Sequence, residues 1–425
     1  MTHRLSFIAI STLGILACGQ PRMLHRNDGG IDHAGTDTPA DEQSSPDAAG
    51  ERTDTGVADA GSDRADVAPG PDGSMGGASG TGGAGGVDGG RDGSGTGGST
   101  GVGGSTGAGG STGTGGSSPV CSPPCAASAY CSAGTCKSRL TEFTIPGTSA
   151  DASDIVLGPD GNLWFTDAIG SIGRITPLGD IVEFVIPTPS SNPIGITAGS
   201  DGNVWFTEVA NKIGVITPSG TIIDYTIPTA SSMPEGIVLG PDGNLWFVEH
   251  NSNLIGIATP SGAITERTIP TAFSGPADIA LGPDGNLWFT EYSANQIGRI
   301  TPSGTVTEFP VLTAGASPYF ITAGPDGNLW FSEANGNKIG RITPAGAITE
   351  FTVPTAASNP AGITAGPDGN VWFTETRGNH IAQITPAGII TEYTVSSPGG
   401  ITTGPDRNLW FTEANGQKIG RFVPP

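Results

Sequence analysis

His250 and Glu235 are the residues of this chain best suited to handling a proton, because each stands where sister copies of a repeat carry other side chains. The position after a turn proline, whose place Ala152 takes in the first copy, reads Ser153, Ile194, Glu235, Ala277, Tyr319, Ala361 and Gly399. The position after a Trp-Phe-x-acid motif reads Ala168, Val209, His250, Tyr292, Ala334, Thr376 and Ala414. An imidazole changes charge near neutral pH, and a carboxyl group beside it can orient it or exchange a proton with it. Asp278, one residue beyond Ala277, adds a second acid, while Tyr292 and Tyr319 add ring faces with polar tips. The expectation is that Glu235 and His250 are close neighbours and the catalytic candidates. With Asp278, Tyr292 and Tyr319 they would form a ligand site at one mouth of the fold. Arg377 is the basic residue of the variable set and is a candidate anion contact. Sequence drift on a solvated rim is the competing account.

The elements that must position these residues are strands. GPDGNLWF stands at 158–165, 240–247, 282–289 and 324–331, with close variants at 199–206, 366–373 and 404–411. All seven tryptophans of the chain lie in this segment: Trp164, Trp205, Trp246, Trp288, Trp330, Trp372 and Trp410. Differences between successive numbers are 41, 41, 42, 42, 42 and 38, the period of propeller blades. Each period holds four short β signals, typified by Gly-Ile-Thr-Ala-Gly, Asn-Leu-Trp-Phe-Thr-Glu, Lys-Ile-Gly-Arg-Ile-Thr and Ile-Thr-Glu-Phe-Thr-Ile. The last copy stops after KIGRFVPP without its fourth strand, and the region begins with an orphan fourth strand, LTEFTIP at 140–146. Pairing these two ends closes a ring, whereas a linear array would leave both end sheets with exposed edges. The predicted fold is an all-β, seven-bladed propeller of four-stranded blades over 139–425, expected to be monomeric.

Pro-Asp-Gly between two strands is turn chemistry: Pro presets φ, Asp bonds back to the backbone, and Gly enters positive φ freely. A phosphate loop would open a helix and a calcium loop would need several converging oxygens, and neither pattern follows. Arg407 replaces that Gly in the last copy and is expected to be strained. The repeated acids Asp167, Glu208, Glu249, Glu291, Glu333, Glu375 and Glu413 could ring a channel as metal ligands. With Lys212, Arg299, Lys338 and Lys418 in the next strand, hydrogen bonding between blades is the simpler expectation.

Ahead of the propeller the chain changes character. Residues 1–18 have a basic residue, an apolar run from Leu5 to Leu16 and then Ala17-Cys18, a secretory signal ending in a lipobox. Acylation of Cys18 would tether the protein to a membrane by lipid alone, and Gly19 favours a bacterial outer-membrane or cell-surface destination. Residues 19–118 are rich in Gly, Ser, Thr and Asp and lack the branched apolar residues a core needs, so a disordered linker is expected. Residues 119–138 hold Cys121, Cys125, Cys131 and Cys136, an even set that suggests two disulfides in an exported chain, with zinc as the competing reading. A net charge of −22 without a basic patch excludes nucleic acid as a partner.

The repeat resembles the virginiamycin B lyase, or streptogramin lyase, family over 140–425. That resemblance implies a seven-bladed propeller and a carbon–oxygen lyase that opens cyclic depsipeptide antibiotics by elimination, with magnesium as cofactor. It also implies two histidines after turn prolines in the last two blades, and a metal-binding Glu after the final Trp-Phe strand. This chain has NPAGIT and SPGGIT at the two turns, placing Ala361 and Gly399 at the histidine positions and Ala414 at that of the Glu. A binding module for a small molecule or cell-surface partner is therefore the preferred reading. A lyase with relocated residues, or a lactone- or ester-cleaving relative, is the rival. A purely structural surface protein would show a shallow mouth without convergent polar groups.

Overall fold

The computed structural model describes residues 121, 123–126, 128–147 and 151–425. The expected signal segment, the expected lipobox Cys18 and the whole of the linker at 19–118 lie outside the described residues. Seven four-stranded antiparallel sheets follow one another, and the seventh takes its outer strand, Leu140–Thr144, from the start of the domain. Leu140 pairs with Phe422 and Thr144 with Lys418, so the two ends of the domain are hydrogen-bonded partners in one sheet. This is the closure the orphan strand predicted.

Every blade is built alike, and blade three serves as the example. Its strands are Pro234–Leu239, Leu245–Glu249, Leu254–Ala258 and Ile264–Thr268, from the innermost outward. The second strand is buried along its whole length, and the outermost alternates between half-buried and exposed residues. All seven tryptophans are at most 1% exposed and sit in the clusters between neighbouring blades. Trp205 of blade two, for instance, packs with Leu245 and Phe247 of blade three. Burying a side chain of that size stabilises the ring by about 3–5 kcal/mol each, judged from the cost of truncating it.

The turn sequence explains its own repetition. In each of the seven copies the turn Asp accepts the tryptophan Nε1–H, as Asp242 does from Trp246 at 3.0 Å. The same carboxylate accepts the backbone N–H and side-chain amide of the Asn two residues on, as at Asn244. The preceding Gly leaves room for the indole, since a Cβ on Gly240 would strike Trp246. Arg407 does adopt φ 59, the left-handed conformation that its Gly counterparts take freely.

One irregularity matters for function. In every blade the innermost strand bulges just after its first residue, a proline in all but blade one, where it is Ala152: Pro234 pairs with Glu249, but the next pair is Ile237 with Phe247. Two residues on the inner strand, Glu235 and Gly236, oppose one, Val248, on its partner, and a bulge of this kind re-aims the side chains it contains. Glu235 occupies that bulge in blade three.

The cysteine module is a hairpin of Ala129–Ser132 and Thr135–Ser138. Two disulfides, Cys121–Cys131 and Cys125–Cys136, staple it. With all four thiols paired, the hairpin takes the disulfide arrangement and leaves no free thiol to ligate zinc.

Candidate functional site

The bulge and the turn after the second strand bring Glu235 and His250 together. Glu235 Oε1 lies 3.4 Å from His250 Nδ1, a contact whose geometry falls short of a hydrogen bond. Glu235 is 5% exposed, and burial together with the Asp278 charge pushes its carboxyl up to about 8. Burial lowers the pKa of His250, opposed by the Pro276 carbonyl that its ring bonds. At neutral pH the pair is thus an uncharged acid beside an uncharged imidazole. Such a pair can hold or move a proton at Nδ1, or donate and accept hydrogen bonds to a neutral ligand without the desolvation cost of a charge.

Asp278 sits in the corresponding bulge of the next blade. A Cβ on Gly236 would strike its carboxylate, which places the two bulges in contact. Burial is the main cause raising Asp278 to about 8, with the Asp154 charge adding to it and the Ile321 N–H bonded to Asp278 Oδ2 opposing it. Asp154 is itself raised to about 6 by burial. Asp154 and Asp278 line a cavity of about 190 Å³ with Ile279, Phe320, Ile321 and Ile401. Tyr292 and Tyr319 meet edge to face with ring centroids 5.9 Å apart, and Tyr319 stands against Phe320 in the same way. Five of the six residues singled out from sequence therefore fall in one chain of neighbours across blades three to five. Arg377 does not join them. It is exposed in blade six, and its guanidinium makes no hydrogen bond or ion pair among the described residues.

Two features of this rim escaped the sequence reading. Phe273 is 90% exposed and held at φ 57 on the loop leading into blade four, two residues before Gly275. Gly275 in turn packs against His250 Cε1 and bonds Tyr292 N–H through its carbonyl. A bulky exposed side chain in left-handed backbone is uncommon, and its Ser or Ala counterparts Ser190, Ser231 and Ala357 carried the signal. The other feature is Val248. The six equivalents of this residue are Thr or Ser, and Thr207 shows why: its hydroxyl accepts from Gly195 N–H and donates to the Glu235 carbonyl of the next blade. Val248 omits that stitch beside His250.

The repeated acids correct an expectation. Glu208, Glu291, Glu333, Glu375 and Glu413 are fully buried, yet neither carboxylate oxygen of any of them has a hydrogen-bond partner. Lys338 and Lys418 bind instead the outer-strand acids Glu350 and Glu142, at 2.6 and 2.9 Å. Arg299 lies over Trp288 and donates to the Pro344 carbonyl. Burial, reinforced by the outer acid of the same blade, raises Glu208, Glu291 and Glu333 to about 8 and Glu375 and Glu413 to about 7. Each is therefore one half of a carboxyl pair. The sequence signal was a second acid 16 or 17 residues downstream, as in Glu208 and Asp224 or Glu291 and Glu308, with Glu142 of the closing strand taking that place for Glu413.

A profile of the virginiamycin B lyase family matches residues 129–362 and 237–422. The chain belongs to the virginiamycin B lyase family. The match begins inside the cysteine hairpin, ahead of the start at 140 expected from the repeats. Among solved structures, virginiamycin B lyase from Staphylococcus aureus is 43% identical, covering 67% of this chain and 99% of its own, with a TM-score of 0.65. A streptogramin B lyase structure is 41% identical over 67% of this chain and 97% of its own, with the same TM-score. A catalytically inactive histidine-to-alanine variant of the S. aureus enzyme, solved with quinupristin, is 42% identical, covers 67% of this chain and 99% of its own, and has a TM-score of 0.65. The extracellular domain of a one-component system from B. thetaiotaomicron shares the fold at 17% identity and a TM-score of 0.54, over 66% of this chain and 42% of its own. Comparison with curated protein sequences finds no match.

The magnesium that the family resemblance implies does not fit the corresponding positions here. A Cβ on Gly399 would lie 2.6 Å from Thr412 Oγ1, so a side chain there would have to displace that hydroxyl, and the glycine itself offers no metal donor. Ala361 is 3% exposed and offers no donor.

Proposed function

We propose that this family member is an exported, lipid-anchored binding propeller that has lost the elimination chemistry of the lyases. Its ligand is a compact molecule combining amide-like hydrogen-bonding groups with an aromatic or apolar face, of the streptogramin B kind. The observation that carries the reading is the contact of Glu235 with His250 on a bulge whose counterparts in the last two blades hold Ala361 and Gly399. Neutral donors and acceptors at Glu235, Asp278 and His250 suit a neutral polar ligand, and Tyr292, Tyr319 and Phe273 suit its apolar face. A lyase relative described as catalytically inactive was solved with quinupristin, which supports binding that outlasts loss of catalysis. The two disulfides and the signal-like residues 1–18 support export, and Cys18 would carry the lipid.

Calorimetric titration of the full chain with quinupristin tests this. Binding that weakens in both Glu235→Gln and His250→Ala is the expected result. Absence of binding, or equal affinity in the wild type and both variants, would overturn it. The 3.4 Å approach of His250 to Glu235 also favours a second reading, a lyase whose base has moved to blade three. In that case turnover of quinupristin accompanies binding and is lost with His250.

A further inference from the structure

Blade six departs from its sisters at the first residue of its third strand. That position reads Ser171, Lys212, Leu254, Gln296, Lys338, His380 and Lys418 around the ring. Where it is lysine, the ammonium reaches the outer acid of the blade, as Lys338 reaches Glu350. In blade six the residue is an imidazole between the two acids, and Glu375, His380 and Glu392 bring one ligand atom each within 4.8 Å of one another. Glu375 is 0% exposed with both oxygens lacking a hydrogen-bond partner, and its Oε2 lies 3.6 Å from His380 Nδ1. That nitrogen is buried and also without a hydrogen-bond partner. Glu392 is held in place from behind: Thr355 donates its backbone N–H to one oxygen and its hydroxyl to the other, at 2.9 and 3.0 Å. Each of those oxygens keeps a further lone pair.

We infer that Glu375, His380 and Glu392 form a site for a divalent first-row transition ion, with zinc its natural probe. One imidazole nitrogen and two carboxylate oxygens suit such an ion, and the imidazole disfavours magnesium or calcium, which take oxygen ligands. A cation would supply the missing partner of Glu375. It would also tie the outer strand Ile390–Thr394 to the buried strand Val371–Glu375, and through Glu392 to Thr355 on the segment entering the blade. The Thr355 contact is the outer-shell support that metal-bound carboxylates commonly have. This site is separate from the Glu235–His250 pair and stands whether or not that pair binds quinupristin.

The test uses the full chain with its disulfides intact, stripped with chelator and titrated with zinc and then with magnesium. His380→Lys copies the residue of blades five and seven and so keeps the fold, and His250→Ala serves as control. The expected result is one zinc equivalent that His380→Lys loses, with magnesium failing to compete. Glu375→Gln should weaken zinc by more than the roughly 10–100-fold that loss of an outer-shell partner costs. His250→Ala should keep it. Zinc retained at full affinity by His380→Lys, zinc lost in His250→Ala instead, or no zinc bound at all would overturn the site.

Discussion

The two ends of each buried second strand carry an acid, and the two acids are treated in opposite ways. At the turn end, Asp242 accepts from Asn244 and from the Trp246 indole, and although partial burial raises its pKa, these bonds outweigh it and hold the carboxyl below its usual range. At the other end of the same blade, burial raises Glu249 to about 7 and only one of its oxygens finds a hydroxyl donor. The turn end is satisfied, invariant in type and architectural. The opposite end is under-satisfied and varies in the residues around it, and there His250, Tyr292 and His380 enter. A ring of near-identical blades needs one closed, self-sufficient rim to hold its shape. The other rim is then free to diverge, and function is to be sought where buried polar groups lack partners.

Changes at the turn end should cost most. Trp288→Ala should lose about 3–5 kcal/mol in chemical denaturation, and Trp372→Ala a similar amount, because both fill equivalent seams. Asp242→Ala should lose about 1–3 kcal/mol by stranding a buried indole N–H and an amide, while Glu291→Gln at the other end should be neutral or stabilising at pH 8. Equal losses for these two would erase the contrast.

Much of this was legible in advance. The Trp spacing, the turn letters and the split outer strand specified seven blades and their closure, because a period-two pattern with turn residues leaves few alternatives. The contact of Glu235 with His250 was legible for a narrower reason: in a repeat, equivalent positions are neighbours, so two unusual residues in one blade meet. The unpaired state of Glu208 or Glu333 was not legible. Lys338 can reach either acid of its blade, and the choice of Glu350 depends on side-chain geometry that no spacing encodes. Phe273 was missed because its exposure is set by the loop's backbone and not by its letter.

The same contrast sets a pH dependence. Glu208, Glu291 and Glu333, raised from 4.5 to about 8, hold their protons more tightly folded than unfolded. Between those values the native state binds more protons, so stability falls as pH rises through that window. Tm should therefore be higher at pH 5 than at pH 8.5, and Glu208→Gln should flatten the slope. A Tm that climbs toward pH 8.5 would contradict the protonated state assigned to these acids. The smallest effect is expected at the one flaw of the turn rim. Arg407→Gly relieves a left-handed Arg and should gain at most about 1 kcal/mol, offset by loss of its bond to the Pro367 carbonyl.

The most direct measurement asks whether the divergent rim of this propeller binds without eliminating. The full chain is incubated with quinupristin, with magnesium and separately with chelator, and the products are separated by reversed-phase chromatography and weighed by mass spectrometry. An elimination product is isomeric with the intact ring and is seen by its retention, while a hydrolysis product gains a water. Intact quinupristin in both incubations is the result predicted here; a ring opened in magnesium and preserved in chelator would contradict it.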